Sequence, residues 1–191
     1  MNHVMLDLET LGTTADAVVL SIGAVRFDPS SDRLGDRPED KFYGSVSIDS
    51  QLQLGRRIQE DTLLWWIQQS PEARQVFFEP KKTLEAVLLD LADWISVIPE
   101  ANLEVWAKPA KFDIAILEHA YQQHDIDVPW PHWASNCLTS FKKRMCEICV
   151  DVPKQPAPEI AHNALHDAIA QARYVQALTS LRNTRLNTVA A

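Results

Sequence analysis

The spacing of apolar positions changes along this chain, and the change predicts a sheet built first and helices laid over it afterwards. Val4-Met5-Leu6-Asp7-Leu8-Glu9-Thr10 is a dense apolar run, and a second run, Ala17 to Phe27, follows a short Gly12-Thr13-Thr14 turn. Runs of this length bounded by turn residues predict buried strands. Asp28-Pro29-Ser30-Ser31-Asp32 is a loop by its turn chemistry. Lys41 to Ile48 then alternates well enough for a third, edge-like strand, which makes an antiparallel meander. Beyond Gly55 the spacing becomes helical. Asp61 to Ile67 predicts one helix, and Ser70-Pro71-Glu72 opens another, with Ser70 suited to the N-cap and Pro71 to the first helical position. Leu84, Val87, Leu88, Leu91, Trp94 and Ile95 predict an amphipathic helix from Thr83 to Ile98, stopped by Pro99. Leu103 to Trp106 is a short strand, Phe112 to Gln123 a helix and Ser135 to Cys149 another. Pro153, Pro156 and Pro158 make an extended connection. Leu165, Ala168, Ile169, Ala172, Val175 and Leu178 define a last helix. Strands followed by interleaved helices predict an α/β fold, a mixed central sheet with helices on both faces. The 191 residues are expected to form a single domain, 1–191.

Within this pattern the two acids of the first run are the anomaly. Successive strand side chains point to opposite faces, so Asp7 and Glu9 share one face while Leu6 and Leu8 share the other. Their carboxylates then sit about 7 Å apart or less, at a rise of about 3.3 Å per residue. On a buried strand such a pair is poorly solvated and self-repelling unless a cation lies between the two, and hard oxygen ligands suit Mg²⁺ or Mn²⁺. A partly exposed strand with both acids facing water is the competing reading. Asp113, at the start of the predicted helix after Val105-Trp106, is either a further acid over the sheet edge or a simple N-cap. His162-Asn163-Ala164-Leu165-His166-Asp167 opens the last helix with two histidines and an acid.

Composition narrows the class. The chain carries 26 acids against 18 bases, a net charge of −8, which argues against a broad electrostatic binder of duplex DNA. A carboxylate-rich metal site remains compatible with a nucleic-acid substrate, because bound cations restore positive potential where a phosphate sits. No apolar run approaches the roughly 20 residues needed to span a bilayer, so no membrane association is expected. Met1-Asn2-His3 lacks a charged leader and apolar stretch, so a cytoplasmic protein is expected. Cys137, Cys146 and Cys149 are odd in number, which suits a reducing compartment. Cys146 and Cys149 form a C-x-x-C, but their spacing to Cys137 and His132 matches no usual zinc pattern.

Taken together, Asp7-Leu8-Glu9-Thr10-Leu11-Gly12, Phe112-Asp113, and His162 separated by four residues from Asp167 resemble the DEDDh 3′-to-5′ exonucleases. These belong to the DnaQ-like, ribonuclease H-like superfamily, in which the acid-bearing first strand is central. Ala17 to Asp28, Leu63-Trp65-Trp66 and Gln69-Ser70-Pro71-Glu72-Ala73-Arg74 bring the resemblance closer to the exonuclease VIII-like group. That group includes a phage DNA exonuclease and a mycobacterial adenylate-preferring exoribonuclease. The resemblance implies that Asp7, Glu9, Asp113 and Asp167 hold two divalent cations, Mg²⁺ or Mn²⁺, and that His162 is the general base. The spacing selects His162 over His166, and Asn163 stands where the related subclass carries a tyrosine. Two ions about 3.5 to 4 Å apart suit phosphodiester hydrolysis, one at the attacking water and one at the departing 3′ oxygen. The implied reaction is removal of 5′-mononucleotides from the 3′ end of single-stranded DNA, with RNA as the alternative polymer. A non-catalytic binding module would be expected to lack one of the five residues, and all are present.

For substrate contacts the resemblance points to Thr10 and Leu11, the latter as an apolar wedge against the base. Trp65 and Trp66 offer a stacking face, although adjacent helical residues diverge by about 100°, so that a core role competes with stacking. Of the pair, Trp66 is the candidate contact. Lys108 and Lys111 are either phosphate contacts or solvated loop cations. The chain departs from the group in Ala107-Lys108-Pro109-Ala110-Lys111, where a glycine-containing turn is usual, and lacks an Arg-Asp pair near Ser135 to Thr139. Members of the group are often dimers, so a homodimer is an expected state.

Overall fold

The computed structural model describes residues 1–189. Among them, five strands form one sheet in the order β3-β2-β1-β4-β5: β1 His3–Thr10, β2 Val19–Phe27, β3 Lys41–Ser45, β4 Glu104–Ala107 and β5 Ser135–Cys137. The meander β1-β2-β3 is antiparallel, while β4 and then β5 add in parallel on the other side of β1. β1 is therefore central. Its alternation divides the core. Val4, Leu6 and Leu8 face one layer, with helices α3 (Leu84–Ser96) and α4 (Ala110–Gln123). Met5 faces the other, with α5 (Leu138–Ile148) and the long α6 (Ala164–Val189). Asp7 and Glu9 continue the Met5 row, so the two acids point toward the α6 side.

A single glycine brings α6 onto the sheet. Gly23 lies opposite Asp7 in the β1–β2 ladder, and a Cβ there would stand 2.2 Å from the backbone carbon of Ala164 and 2.3 Å from the nitrogen of Leu165. No side chain fits that gap. The absence of a Cβ lets the first turn of α6 rest on β2 beside Asp7.

Several boundaries differ from those the pattern predicts. Ser135 to Cys137 is a strand rather than the start of a helix, because it pairs in parallel with Val105 to Ala107 and Asn136 donates to the Glu104 carboxylate at 2.6 Å. Three residues are too few for periodicity to register. β3 stops at Ser45, and Ser47 caps a short helix, α1 (Ile48–Leu52). α2 spans Glu60–Ile67, and the segment after Ser70 forms a 3₁₀ turn, Ala73–Phe77, with the Ser70 hydroxyl accepting from the Ala73 N–H. α6 runs well past Leu178. No described helix is long and apolar enough to cross a membrane.

Candidate metal centre and active-site cleft

Three acids from two distant parts of the chain meet at the open end of β1. Ligand atoms of Asp7, Glu9 and Asp167 all lie within 4.8 Å of one another. Among the described residues this is the one group of three or more His, Cys, Asp or Glu side chains so placed, and the three cysteines are free and outside it.

Asp7 and Glu9 come from β1, Asp113 from α4 and Asp167 from α6. The β1–β4 ladder covers only His3 to Met5, so further along β1 the side facing β4 is left open. Asp113 fills the opening: its Oδ1 accepts the Leu8 N–H at 3.1 Å, and its Oδ2 is buried without a partner. The N-cap position of α4 belongs to Pro109, so Asp113 is not a cap. Asp167 sits in the first turn of α6, where the helix dipole favours an anion. Its Oδ2 accepts the His162 N–H at 2.8 Å, and Asn163 caps the helix by accepting the His166 N–H at 3.2 Å. His162 adopts a left-handed backbone, φ 61°, which turns the chain into α6.

Electrostatics single out the same group. Burial pushes the Asp7 carboxyl well up, and the neighbouring Asp113, Glu9 and Asp167 add to it, while the Gln171 hydrogen bond opposes. Glu9 is pushed up to about 8 by burial and by Asp167 and Asp113. Asp113 rises to about 7 through burial, against the pull of backbone N–H groups. Asp167 is raised by burial and moderated by His162 and Lys108. Buried acids that resist ionising side by side, with an orphaned carboxylate oxygen among them, are the donor set a divalent cation fits.

One contact was not foreseen from sequence. Gln171, buried one turn after Asp167, donates Nε2 to Asp7 Oδ1 at 2.6 Å. Its signal was a polar residue at i+4 from Asp167, within the stripe that α6 turns to the sheet.

The cleft beside the acids measures about 360 Å³ and is walled by Glu9, Thr10, Asp61, Thr62, Trp65 and Phe112. Here two expected contacts are corrected. Trp66 is 1% exposed and donates its indole N–H to the Thr10 carbonyl at 2.8 Å, so its faces are not available for stacking. Leu11 is 1% exposed and packs with Val18, Leu20 and Trp66 instead of reaching the cleft as a wedge. Both tryptophans border the cleft, and Trp65, 41% exposed, is the one with open surface there. Its ring meets the His162 ring edge to face at 4.8 Å. Thr10 lines the cleft, with its hydroxyl donated to the Gly12 carbonyl at 2.7 Å. Lys111 is exposed on the first turn of α4, and Lys108 donates to Gln155 at 2.6 Å.

Known proteins resemble this chain in sequence and fold. The family described as the 3′-5′ exoribonuclease Rv2179c-like domain matches residues 2–179. The exodeoxyribonuclease of Enterobacteria phage T4 is 24% identical, over 85% of this chain and 82% of its own. Cell-death related nuclease 4 (CRN-4) superposes with a TM-score of 0.65 at 16% identity, covering 93% of this chain. This chain spans only 63% of that one. The nuclease domain of 3′hExo, a DEDDh family member bound to rAMP, gives a TM-score of 0.53 at 13% identity, over 95% of this chain and 92% of its own. The structural likenesses establish a ribonuclease H-like fold.

Proposed function

The chain belongs to the Rv2179c-like 3′-5′ exoribonuclease family and is a metal-dependent 3′-to-5′ exonuclease, and we propose that its substrate is the 3′ end of single-stranded RNA. The whole chain is read as one exonuclease domain. The observation that carries the site assignment is the convergence of Asp7, Glu9 and Asp167 within 4.8 Å, beside the His162 ring and an open cleft.

In this reading Asp7, Glu9, Asp113 and Asp167 hold two divalent cations, Mg²⁺ or Mn²⁺. Such cations supply acidity to the attacking water and neutralise charge on the scissile phosphate. His162 takes the proton of the attacking water, a role open to imidazole near neutral pH. Its left-handed backbone and its hydrogen bond to Asp167 fix where the ring stands relative to the acids. Gln171 orients Asp7. Trp65 and Phe112 receive the terminal base, since stacking on an exposed aromatic tolerates any base. Thr10 lines the cleft, and Lys111, exposed and next in sequence to the cleft-lining Phe112, offers a cation. The product is a 5′-mononucleotide and a strand one residue shorter.

RNA is favoured by the family's description, which covers most of the chain. DNA is the second reading, supported by the phage exodeoxyribonuclease. The discriminating experiment digests end-labelled DNA and RNA of one sequence, in Mn²⁺ and in EDTA, with wild type beside His162→Asn. A ladder shortening from the 3′ end of RNA faster than of DNA, absent in EDTA and weak in the variant, supports the reading. Faster shortening of DNA reverses the polymer, and full activity in the variant removes His162 from its role.

A further inference from the structure

Next to the cleft, the surface carries more exposed apolar side chain than a water-facing helix needs. Leu63, Leu64, Trp65 and Ile67 on α2 are between 39% and 60% exposed, and Phe78, just past the 3₁₀ turn, is 77% exposed. They do not lie scattered. Leu63, Ile67, Pro71, Phe77 and Phe78 wall a groove of about 490 Å³, and the buried Trp66 borders both this groove and the acid-flanked cleft. A contiguous apolar patch of this kind marks a binding surface.

The groove also holds a charge that nothing balances. Arg74 lines it, and its side chain makes no hydrogen bond or ion pair among the described residues; its Nε is buried without a partner. In a chain of net charge −8, an unpaired guanidinium among aromatic and aliphatic walls is matched to a ligand that brings apolar faces and an anion together. Bases and phosphates of a single strand do so, through stacking on aromatic rings and pairing of the backbone with a cation.

We propose that the groove between α2 and the 3₁₀ turn binds the nucleotides that precede the scissile bond, with bases against Phe78 and Phe77 and a backbone phosphate at Arg74. This assignment rests on the exonuclease reading of the adjoining cleft, which shares the buried Trp66 with the groove as a common wall. It makes the groove a length sensor: a strand that reaches it is held, whereas a dinucleotide occupies only the cleft.

The test uses the full chain and Phe78→Ala, Arg74→Gln and a control, Leu89→Ala, whose side chain is exposed on α3 away from the groove. Hydrolysis of an octamer and of a dinucleotide in Mn²⁺ is measured beside anisotropy of a fluorescent octamer and light scattering. For Phe78→Ala, the octamer-to-dinucleotide ratio of kcat/KM is expected to fall on the order of tenfold, the scale of one lost stacking contact. Octamer affinity falls by a similar factor. Arg74→Gln also makes the log-log salt dependence shallower by about 0.7, the value for one phosphate on a single strand. Leu89→Ala leaves all three readouts at wild-type values. An unchanged ratio together with unchanged octamer affinity overturns the groove assignment. So does conversion of a wild-type dimer to monomer by Phe78→Ala at unchanged octamer affinity, which gives the patch to a second copy. Weakened octamer binding without hydrolysis of either substrate by wild type keeps the groove and overturns the exonuclease reading instead.

Discussion

The acid wall and the aromatic wall of the cleft are built under opposite rules. Asp7, Glu9 and Asp113 are buried, with carboxyls displaced upward by burial and, for Asp7 and Glu9, by the neighbouring acids. Trp65 on the cleft, with Leu63, Ile67 and Phe78 on the groove beside it, keeps apolar surface in water. The first wall is unfavourable until a cation neutralises it; the second is stable as it stands and only gains when something covers it. The acid wall therefore governs rate and metal dependence, and the aromatic wall governs which strands are held.

The largest expected effect breaks the first wall alone. Asp7→Asn keeps an oxygen for the Gln171 amide but removes a ligand charge, and turnover should drop roughly 10⁴-fold, several kcal/mol of charge stabilisation. Binding of a single-stranded oligomer should persist, because the aromatic wall is intact. Steady-state turnover beside anisotropy checks both, and equal loss of the two would merge the walls into one unit. Next comes His162→Asn, with turnover lower by about 10² to 10³-fold, as for a lost general base. Asparagine suits the left-handed backbone at this position, so the Asp167 contact survives and the loss reports the ring. A smaller loss, about 10 to 100-fold in metal affinity or turnover, is expected for Gln171→Leu, since it orients a ligand without being one. A titration of activity with Mn²⁺ detects it as a shifted midpoint, and an unshifted midpoint would make Gln171 merely structural.

The aromatic wall is sharpened by comparing its two tryptophans. Trp65→Ala should raise KM on the order of tenfold with little change in stability. Trp66→Ala should destabilise the fold by about 3 to 5 kcal/mol, as for a large buried ring. Denaturant unfolding beside Michaelis kinetics separates these outcomes, and a KM effect confined to Trp66 would reverse their roles.

Sequence made the acid wall legible because burial and charge conflict within a few residues, Asp7 and Glu9 standing in an apolar strand, and because the spacing of His162 and Asp167 at the start of the last helix matches the family pattern. The central place of β1 and the helices with long apolar stripes were equally readable. The aromatic wall was less so. Trp65 and Trp66 are neighbours with the same composition, and which one turns inward depends on the Thr10 carbonyl, 56 residues away, that receives one indole N–H. Leu11 was misplaced for a similar reason: its burial depends on Val18, Leu20 and Trp66 closing over it. β5 escaped notice because three residues gain strand character only from β4 beside them.

The smallest expected effect tests whether the acid wall is under strain without its cation. Glu9 and Asp113 titrate near 8 and 7 in the folded chain, and Asp7 and Asp167 are also raised, whereas unfolded carboxyls titrate at about 4. Between about pH 4 and 8 the folded chain thus binds more protons than the unfolded one, and stability contributed by these groups is lost as pH rises. Other groups titrate too, so the informative quantity is the Tm of wild type minus that of Asp7→Asn in EDTA. That difference should fall by a few degrees from pH 5 to pH 8, at about 2 to 4 °C per kcal/mol for a chain of this size. Mn²⁺, which binds the deprotonated acids, should raise the wild-type Tm more at pH 8 than at pH 5. A difference that stays flat in EDTA would mean that the carboxyls relax or hydrate in the metal-free protein, and that the acid wall, like the aromatic one, is stable without its partner.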